Sequence, residues 1–259
     1  MPSILPLEIE EIILDSLHED DDEVHSALKT CSLVCHAFLP ICRKHVFGNI
    51  VLHNYNKTAY SSSTLAFERL LHETPKIADY IRKLDFNVQF MDLTSSSIQE
   101  SLKRVSRLEF LRVSTHPDCS RIDWSSNLIR PALLHLLHLP TLTHFEMTRI
   151  GNFVVSDLIP CVNLKYLDIG NSTTVADENI LPASFPEHPI QPNKFVADFE
   201  SSAVIMKLCT ARRPDGQPII DFGSLSKIAV KIEDPDDSEA SQELFKRCHV
   251  LTFVHIYCK

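Results

Sequence analysis

The sequence predicts an α/β fold in which a small all-helical module precedes a repeating α/β region. Two N-terminal segments, 5–17 and 24–38, carry apolar residues at helical spacing. From residue 79 onward a short unit of the form apolar-x-x-apolar-x-apolar recurs along the chain. Helix-like stretches separate its copies, and this alternation of two periodicities distinguishes an α/β region from an all-helical one.

The N-terminal module is expected to contain three short helices. In the first, Ile9, Ile13 and Leu17 fall on one face, and Pro6 suits the first turn because its missing N–H is not needed there. The second places an apolar stripe between Leu28 and Phe38, and a shorter apolar segment covers 41–47. About 50 residues make a marginal core by themselves. We therefore expect this module to gain stability from a partner.

The repeating region is predicted from six copies of the apolar unit. They begin at Ile81, Leu108, Leu142, Leu164, Leu225 and Leu251. The longest interval, 61 residues, leaves room for a degenerate copy at 195–197. Helix-like stretches lie at 98–105, 128–139, 201–209 and 240–248. A strand and a helix recurring every 20 to 35 residues are typical of a leucine-rich-repeat solenoid.

These patterns divide the chain into three parts. We expect a helical module at 1–53, a linker with a connecting helix at 54–78, and a degenerate leucine-rich-repeat-like α/β solenoid at 79–259. The last strand-like segment, 253–257, lies next to the end of the sequence, where a solenoid normally has a polar capping element. We expect either a truncated product or a shortened member of its class with an exposed last edge.

Composition argues against several classes of function. A net charge of -9 gives no electrostatic basis for binding nucleic acid or an anionic membrane. Only five glycines are present, and they form neither of the glycine-rich loops that cradle nucleotide phosphates. No apolar run approaches the roughly 20 residues of a membrane span. The acidic N-terminus is unlike a signal peptide. We expect no cofactor, and a location in the cytoplasm, the nucleus or both.

Eight cysteines lie mostly in apolar segments, which favours reduced, buried thiols. A group of Cys31, Cys35, His36, Cys42 and His45 raises the alternative of a zinc site. Cys31 and Cys35 are one helical turn apart on the apolar stripe, where core residues lie. The interpretation as buried thiols is therefore preferred, and no metal is expected.

Residues 5–52 resemble an F-box, in the form found in large fungal families. The matching residues are Leu5-Pro6-x-Glu8-Ile9, Ile13, Leu17, Leu28-x-x-Cys31-Ser32-Leu33-Val34-Cys35-His36-Ala37-Phe38, Arg43, Phe47, Ile50 and Leu52. Phe38 stands where most members of the family have Trp, which keeps an aromatic contact. The match covers about a fifth of the chain. The remainder is similar to leucine-rich-repeat F-box proteins only in its alternation of short strand-like units and helix-like stretches.

The resemblance implies a non-catalytic substrate receptor of a cullin-RING (SCF) ubiquitin ligase. In that family the F-box helices pack on an SKP-type adaptor, which links them to cullin, and the C-terminal domain binds the target protein. The candidate adaptor-binding residues are Leu5, Pro6, Ile9, Ile13, Leu28, Val34, Cys35 and Phe38. An exposed apolar patch on so small a module is typical of an interface.

The candidate target-binding residues follow from strand alternation, because successive side chains of a strand point to opposite faces. The outward positions are Asp85, Arg112, Ser114, Glu146, Thr148, Asp168, Ala229, Lys231 and His255. Their mixed charge identifies no particular target. A register error of one residue would send all of them to the other face.

Two alternative functions stay open. One is an interaction protein that uses the same two modules outside any ligase. The other is a hydrolase in the α/β region, with His135, His138 or His144 near its centre, or with the Ser224-x-x-Lys227 pattern. Missing companion motifs and scarce glycine disfavour this hydrolase.

The acidic segment 233–239 is predicted to be a solvated loop between repeats. The alternative is a phosphorylation site at Ser238 that adds charge to one rim of the binding surface.

Overall fold

The computed structural model describes residues 38–53, 62–88, 95–115, 121–170, 173–176 and 186–258, together with Thr30. The helices predicted for 5–17 and 24–38 lie outside these residues, apart from Thr30 and Phe38. Six α-helices fall within the described residues: α1 (Phe38–Gly48), α2 (Ser62–Glu73), α3 (Ser96–Lys103), α4 (Arg130–Leu137), α5 (Ser202–Thr210) and α6 (Pro235–Phe245). Short 3-10 helices cover Pro75–Tyr80, Val155–Leu158 and Phe222–Ser224.

The strands are β1 (Asn49–Leu52), β2 (Lys83–Val88), β3 (Phe110–Thr115), β4 (Ile122–Asp123), β5 (His144–Thr148), β6 (Ile150–Gly151), β7 (Tyr166–Ile169), β8 (Lys194–Ala197), β9 (Lys227–Ile232) and β10 (Phe253–Cys258). Eight of them form one all-parallel sheet in the order β1-β2-β3-β5-β7-β8-β9-β10. The short strands β4 and β6 pair with each other. The chain therefore has an α/β fold in which each strand of the main sheet pairs with the next one along the sequence.

Helical crossovers explain this topology. Parallel neighbours cannot be joined by a tight turn, so the chain crosses over between them, usually through a helix. Helices α2, α3 and α4 connect the first four strands of the sheet, while α5 and α6 connect the last three. No helix in the described part of the chain has the length and hydropathy that a membrane span requires.

One face of the sheet forms the core with these helices. In the main-sheet strands from β2 to β9 the buried residues alternate with residues that are not buried, as the period of a strand requires. The buried apolar positions are Leu84, Phe86, Val88, Leu111, Val113, Phe145, Met147, Leu167, Ile169, Phe195, Ala197, Ile228 and Val230. They belong to one apolar cluster with the buried faces of α2 to α6. The opposite face of the sheet is not part of this cluster.

A repeated hydrogen-bond arrangement marks the starts of β3, β5, β7, β8, β9 and β10. The carbonyl of Glu109, just before β3, accepts the N–H groups of Thr143 and His144 at the start of β5, each at 3.0 Å. The equivalent carbonyls belong to Arg82, Thr143, Lys165, Asn193 and Ser226. The arrangement includes β8, so the degenerate copy predicted at 195–197 is confirmed as a strand.

Two local predictions differ from the structure. The sheet begins at Asn49, within the segment assigned to the helical module, because β1 pairs in parallel with β2. The prediction of a loop at 233–239 is wrong, since α6 begins there. Asp234 caps this helix by accepting the N–H of Asp237 at 2.8 Å, and Pro235 occupies its first turn. The acidic run that suggested a loop therefore starts a helix. Its carboxylates lie at the positive end of the helix dipole and stabilise it.

Candidate interaction face of the sheet

The face of the sheet opposite the helices, called here the open face, presents three rows of half-buried or exposed side chains. The central row is Val51, Asp85, Arg112, Glu146, Asp168, Val196, Ala229 and His255. The amino-terminal row is Asn49, Lys83, Phe110, His144, Tyr166, Lys194, Lys227 and Phe253. The carboxyl-terminal row contains Asn87, Ser114 and Thr148, and beyond them Lys231 and Tyr257.

Arg112 links three strands in the central row. Its Nη1 lies 3.1 Å from Oδ2 of Asp85 on β2, and its Nε lies 2.5 Å from Oε2 of Glu146 on β5. Burial alone would lower the pKa of Arg112, but the two carboxylates raise it above its ordinary value. Arg112 itself is exposed, whereas the side chains of Asp85 and Glu146 are only 15% and 14% exposed. The ion pairs are therefore half-buried, where screening by water is weaker than at a fully exposed site.

Asp168 is the next member of the central row. It accepts a hydrogen bond from the Tyr166 hydroxyl at 3.0 Å. Burial, together with the nearby carboxylates of Glu146 and Asp198, raises the pKa of Asp168 to about 6, against the lowering effects of Tyr166 and Arg112. The pKa of Tyr166 is also raised, first by burial and then by the Asp168 carboxylate. The Asp168 carboxyl therefore takes up its proton at a higher pH than an ordinary aspartate.

Aromatic rings follow one another along the amino-terminal row. The ring centroids of Phe110 and His144 are 6.3 Å apart, and those of His144 and Tyr166 are 5.3 Å apart in a stacked arrangement. The guanidinium of Arg112 lies 5.6 Å from the Phe110 centroid, and Nζ of Lys194 lies 4.6 Å from that of Tyr166. Such cation–π contacts favour ordered positions for both partners.

A depression of about 420 Å³ lies on the second half of the open face. Its lining comes from β7, β8, β9, β10 and the residue after β8: Tyr166, Asp168, Lys194, Val196, Ala197, Asp198, Ala229, Lys231, Phe253, His255 and Tyr257. Nζ of Lys231 lies 2.6 Å from Oδ1 of Asp198 and 4.0 Å from the centroid of Phe199. The lining combines rings with both signs of charge, which suits a protein segment with mixed side chains.

The structure places all of the outward residues predicted from the sequence on the open face. Asp85, Arg112, Glu146, Asp168, Ala229 and His255 are in the central row, and Ser114, Thr148 and Lys231 are in the carboxyl-terminal row. Arg112 directly contacts Asp85 and Glu146, while His255 and Lys231 line the depression with Asp168. That these residues bind a target stays a prediction.

The predicted adaptor-binding residues lie outside the described residues, with one partial exception. Leu5, Pro6, Ile9, Ile13, Leu28, Val34 and Cys35 are not described, and Phe38 is described as the first residue of α1. Their role in binding an adaptor therefore stays a prediction that the fold of the sheet does not test.

Sequence reasoning missed the amino-terminal row. Tyr166, Lys194, Lys227 and Phe253 all belong to it, and each lies two residues before a member of the central row. The signal was available, because residues two apart in a strand share a face. Extending the predicted outward positions by two residues toward the N-terminus gives Tyr166, Lys227 and Phe253, whereas Lys194 lies on β8, for which no outward residue was predicted.

The histidines of the hydrolase hypothesis make structural contacts. Nε2 of His135 lies 3.1 Å from the carbonyl oxygen of Val105, and Nε2 of His138 lies 2.8 Å from that of Asp157. His144 stacks on Tyr166, and its Nδ1 lies 2.8 Å from Oγ1 of Thr143, which also donates to the carbonyl oxygen of Glu109 at 3.2 Å. These contacts hold adjacent segments of the chain together.

The described residues contain no group of three His, Cys, Asp or Glu side chains placed to hold a metal ion. Of the suggested zinc ligands, Cys31, Cys35 and His36 lie outside the described residues. Cys42 is buried in α1 and His45 is half-buried in the same helix. The described cysteines Cys42, Cys161, Cys209, Cys248 and Cys258 are free thiols, and the first three are buried.

Comparison with known proteins adds no family assignment. No family model matches the chain. No curated protein matches it either.

Proposed function

We propose that this chain is the substrate receptor of an SCF-type ubiquitin ligase, with no catalytic site of its own. In this proposal the segment 5–52 binds an SKP-type adaptor and the open face binds the target protein. The finer description of the α/β region, a degenerate leucine-rich-repeat-like solenoid, belongs to the same proposal. Its support is the strictly sequential order of the parallel strands and the hydrogen-bond arrangement repeated at their starts.

The target-binding part of the proposal rests on the open face of the sheet. Parallel sheets are usually covered on both faces. Here each of the eight strands contributes exposed or half-buried side chains to a face that lies outside the apolar cluster. These side chains include paired charges, stacked rings and a depression. A continuous surface of this kind suits recognition of another protein more than it suits chemistry on a small substrate.

Adaptor binding is tested by co-expressing the full chain with an SKP-type adaptor and measuring complex formation by size-exclusion chromatography. The test variant combines Leu5→Ala, Pro6→Ala and Ile9→Asp. The matched control is Leu128→Asp, which puts the same charge on a side chain that is 64% exposed near α4. We expect a one-to-one complex for the original chain and for the control, and no complex for the test variant. A folded, soluble chain that never binds the adaptor contradicts the proposal.

Binding of cullin distinguishes a ligase subunit from an interaction protein that acts outside a ligase. Cullin added to the purified adaptor complex should join it as a third component. If the adaptor complex forms and cullin never joins, the chain acts outside a ligase.

A further inference from the structure

A basic hollow lies at the amino-terminal end of the sheet, away from the depression on the open face. Its volume is about 480 Å³, and its lining residues are Ile41, Lys44, Lys76, Asp79, Tyr80, Arg82 and Arg107. They come from α1, the 3-10 helix Pro75–Tyr80, the residue before β2, and the loop between α3 and β3. Among the residues that the structure describes, four basic residues and one acidic residue therefore line this hollow, in a chain whose net charge is -9.

Arg82 gives the hollow a fixed positive group. Its Nη1 donates to the carbonyl oxygens of Asp79 at 2.7 Å and Ile81 at 3.2 Å. Its Nε lies 3.6 Å from Oε1 of Glu109, so one side of the guanidinium already faces a carboxylate. The side chain is 28% exposed. A guanidinium held in this way loses little freedom when it binds an anion.

Two of the other cations, Lys76 and Arg107, lack compensation of this kind. Lys76 and Arg107 are exposed and make no ion pair or hydrogen bond with any residue that the structure describes. The Asp79 carboxylate lines the hollow but is not within ion-pair distance of a described cation. Like charges brought together repel one another, and a bound anion relieves that repulsion. Tyr80 adds a ring and a hydroxyl group to the wall.

From this arrangement we infer that the hollow binds a small soluble anion carrying two or more phosphate groups. Guanidinium and ammonium groups are the preferred partners of phosphate oxygens in proteins. A volume of about 480 Å³ lies in the range of small-molecule sites. Several cations spread around one cavity match several anionic groups better than a single carboxylate. A bound anion would join α1 to the first strands of the sheet.

The test is isothermal titration of the full chain with sodium tripolyphosphate at about 0.15 M salt, where exposed charges are screened beyond about 8 Å. We expect one site per chain. The test variant, Lys76→Ala with Arg107→Ala, should weaken binding at least tenfold. Arg82 is left intact because its guanidinium also supports the Asp79 carbonyl.

The matched control replaces two other cations, Lys103→Ala and Lys246→Ala. Each lies 3.3 Å from a glutamate in the same helical segment, and neither lines the hollow. The control should bind tripolyphosphate as the original chain does. Equal loss in both double variants, or several weak sites per chain, would show diffuse charge attraction and overturn the inference. An absence of binding overturns it as well.

A second arm distinguishes a soluble anion from a lipid headgroup. Vesicles containing phosphatidylinositol phosphate are mixed with the chain and sedimented. We expect tripolyphosphate to bind the chain with higher affinity than the vesicles do, and to release any chain that is bound to the vesicles. Binding to vesicles without binding to tripolyphosphate would assign the hollow to a membrane surface and contradict the inference.

Discussion

On β2, β3 and β5 the open face is held together by its own ion pairs, whereas on β7 to β10 its side chains surround a depression. In the first half, Arg112 lies between Asp85 and Glu146 and forms an ion pair with each. In the second half, Lys194 and Lys227 stand directly opposite each other as like charges. The first half therefore uses its charges to stabilise the sheet. The second half presents rings and charges around the depression that a partner can contact, and we propose that the target binds there.

The largest expected effect is at the junction of the two halves. A Cβ atom at Gly170, just after β7, would lie 2.2 Å from Oγ1 and 2.9 Å from Cβ of Thr148. Gly170→Ala should reduce the free energy of unfolding by about 2 to 3 kcal/mol, because β5 and β7 must move apart. Chemical denaturation measures this change.

Gly48→Ala is the matched control, since a Cβ there meets no atom within 4 Å. Its effect should stay within about 0.5 kcal/mol. Equal stability of the two variants would mean that the strands separate freely at this junction.

A smaller loss is expected from Arg112→Ala in the first half. The variant removes the guanidinium that pairs with both half-buried carboxylates, Asp85 and Glu146, which should cost about 2 kcal/mol. Arg69→Ala on α2 is the control, because Arg69 pairs with Glu73 at a similar distance of 2.6 Å but the two side chains are 79% and 57% exposed. Removing that exposed pair should cost clearly less, because water and salt screen it. Equal losses in urea denaturation would show that burial does not strengthen the Arg112 pairs.

The pH dependence of stability should reveal the titration of the Asp168 carboxyl. Its pKa is raised to about 6 in the folded chain, above the ordinary value near 4 in the unfolded chain. The folded state therefore binds the extra proton between these two values, and its stability falls as pH rises from 4 through 6. Asp168→Asn removes this titration.

We expect Asp168→Asn to be more stable than the original chain by about 1 to 2 kcal/mol at pH 8 and to differ little from it at pH 4. Denaturant midpoints measured from pH 4 to 8 give both profiles. Profiles that run in parallel over this range would contradict the assignment of the titration to Asp168.

The smallest effect on stability is expected at Lys194 and Lys227, where substitution should weaken partner binding most. Lys227→Ala should raise the free energy of unfolding by a few tenths of a kcal/mol, because like charges opposite each other in a sheet are unfavourable. Lys194→Ala should change it less, because this variant also removes the cation–π contact with Tyr166. Binding of a target to the adaptor complex should nevertheless weaken. Affinity purification followed by quantitative mass spectrometry compares these variants with Lys103→Ala on α3. Unchanged partners in both lysine variants would move recognition away from the second half.

The alternation of residues was enough to predict which side chains face outward. Asp85, Arg112, Glu146 and Asp168 follow from the positions of buried neighbours one residue away, since strand geometry allows two faces only. The contacts between strands were not predictable in the same way. That Arg112 contacts both Asp85 and Glu146 depends on strand order and register, which a single strand does not specify.

Two strands show the limit of pattern recognition. The apolar unit at β8 would require apolar residues at 192, 195 and 197, but Pro192 and Ala197 occupy two of these positions. Both are buried, so packing tolerates small or rigid residues where the pattern expects large ones. Strand β1 has only four residues and directly follows α1, so no sequence period marks it.

Hydrogen–deuterium exchange of the full chain, with and without an SKP-type adaptor, tests the central claim most directly. The account predicts that peptides within 5–38 exchange at least tenfold more slowly with the adaptor, while peptides covering β7 to β10 are unchanged and their face stays available for a target. Protection over β7 to β10, or no protection in 5–38, would contradict the claim that the two functions lie on separate parts of the chain.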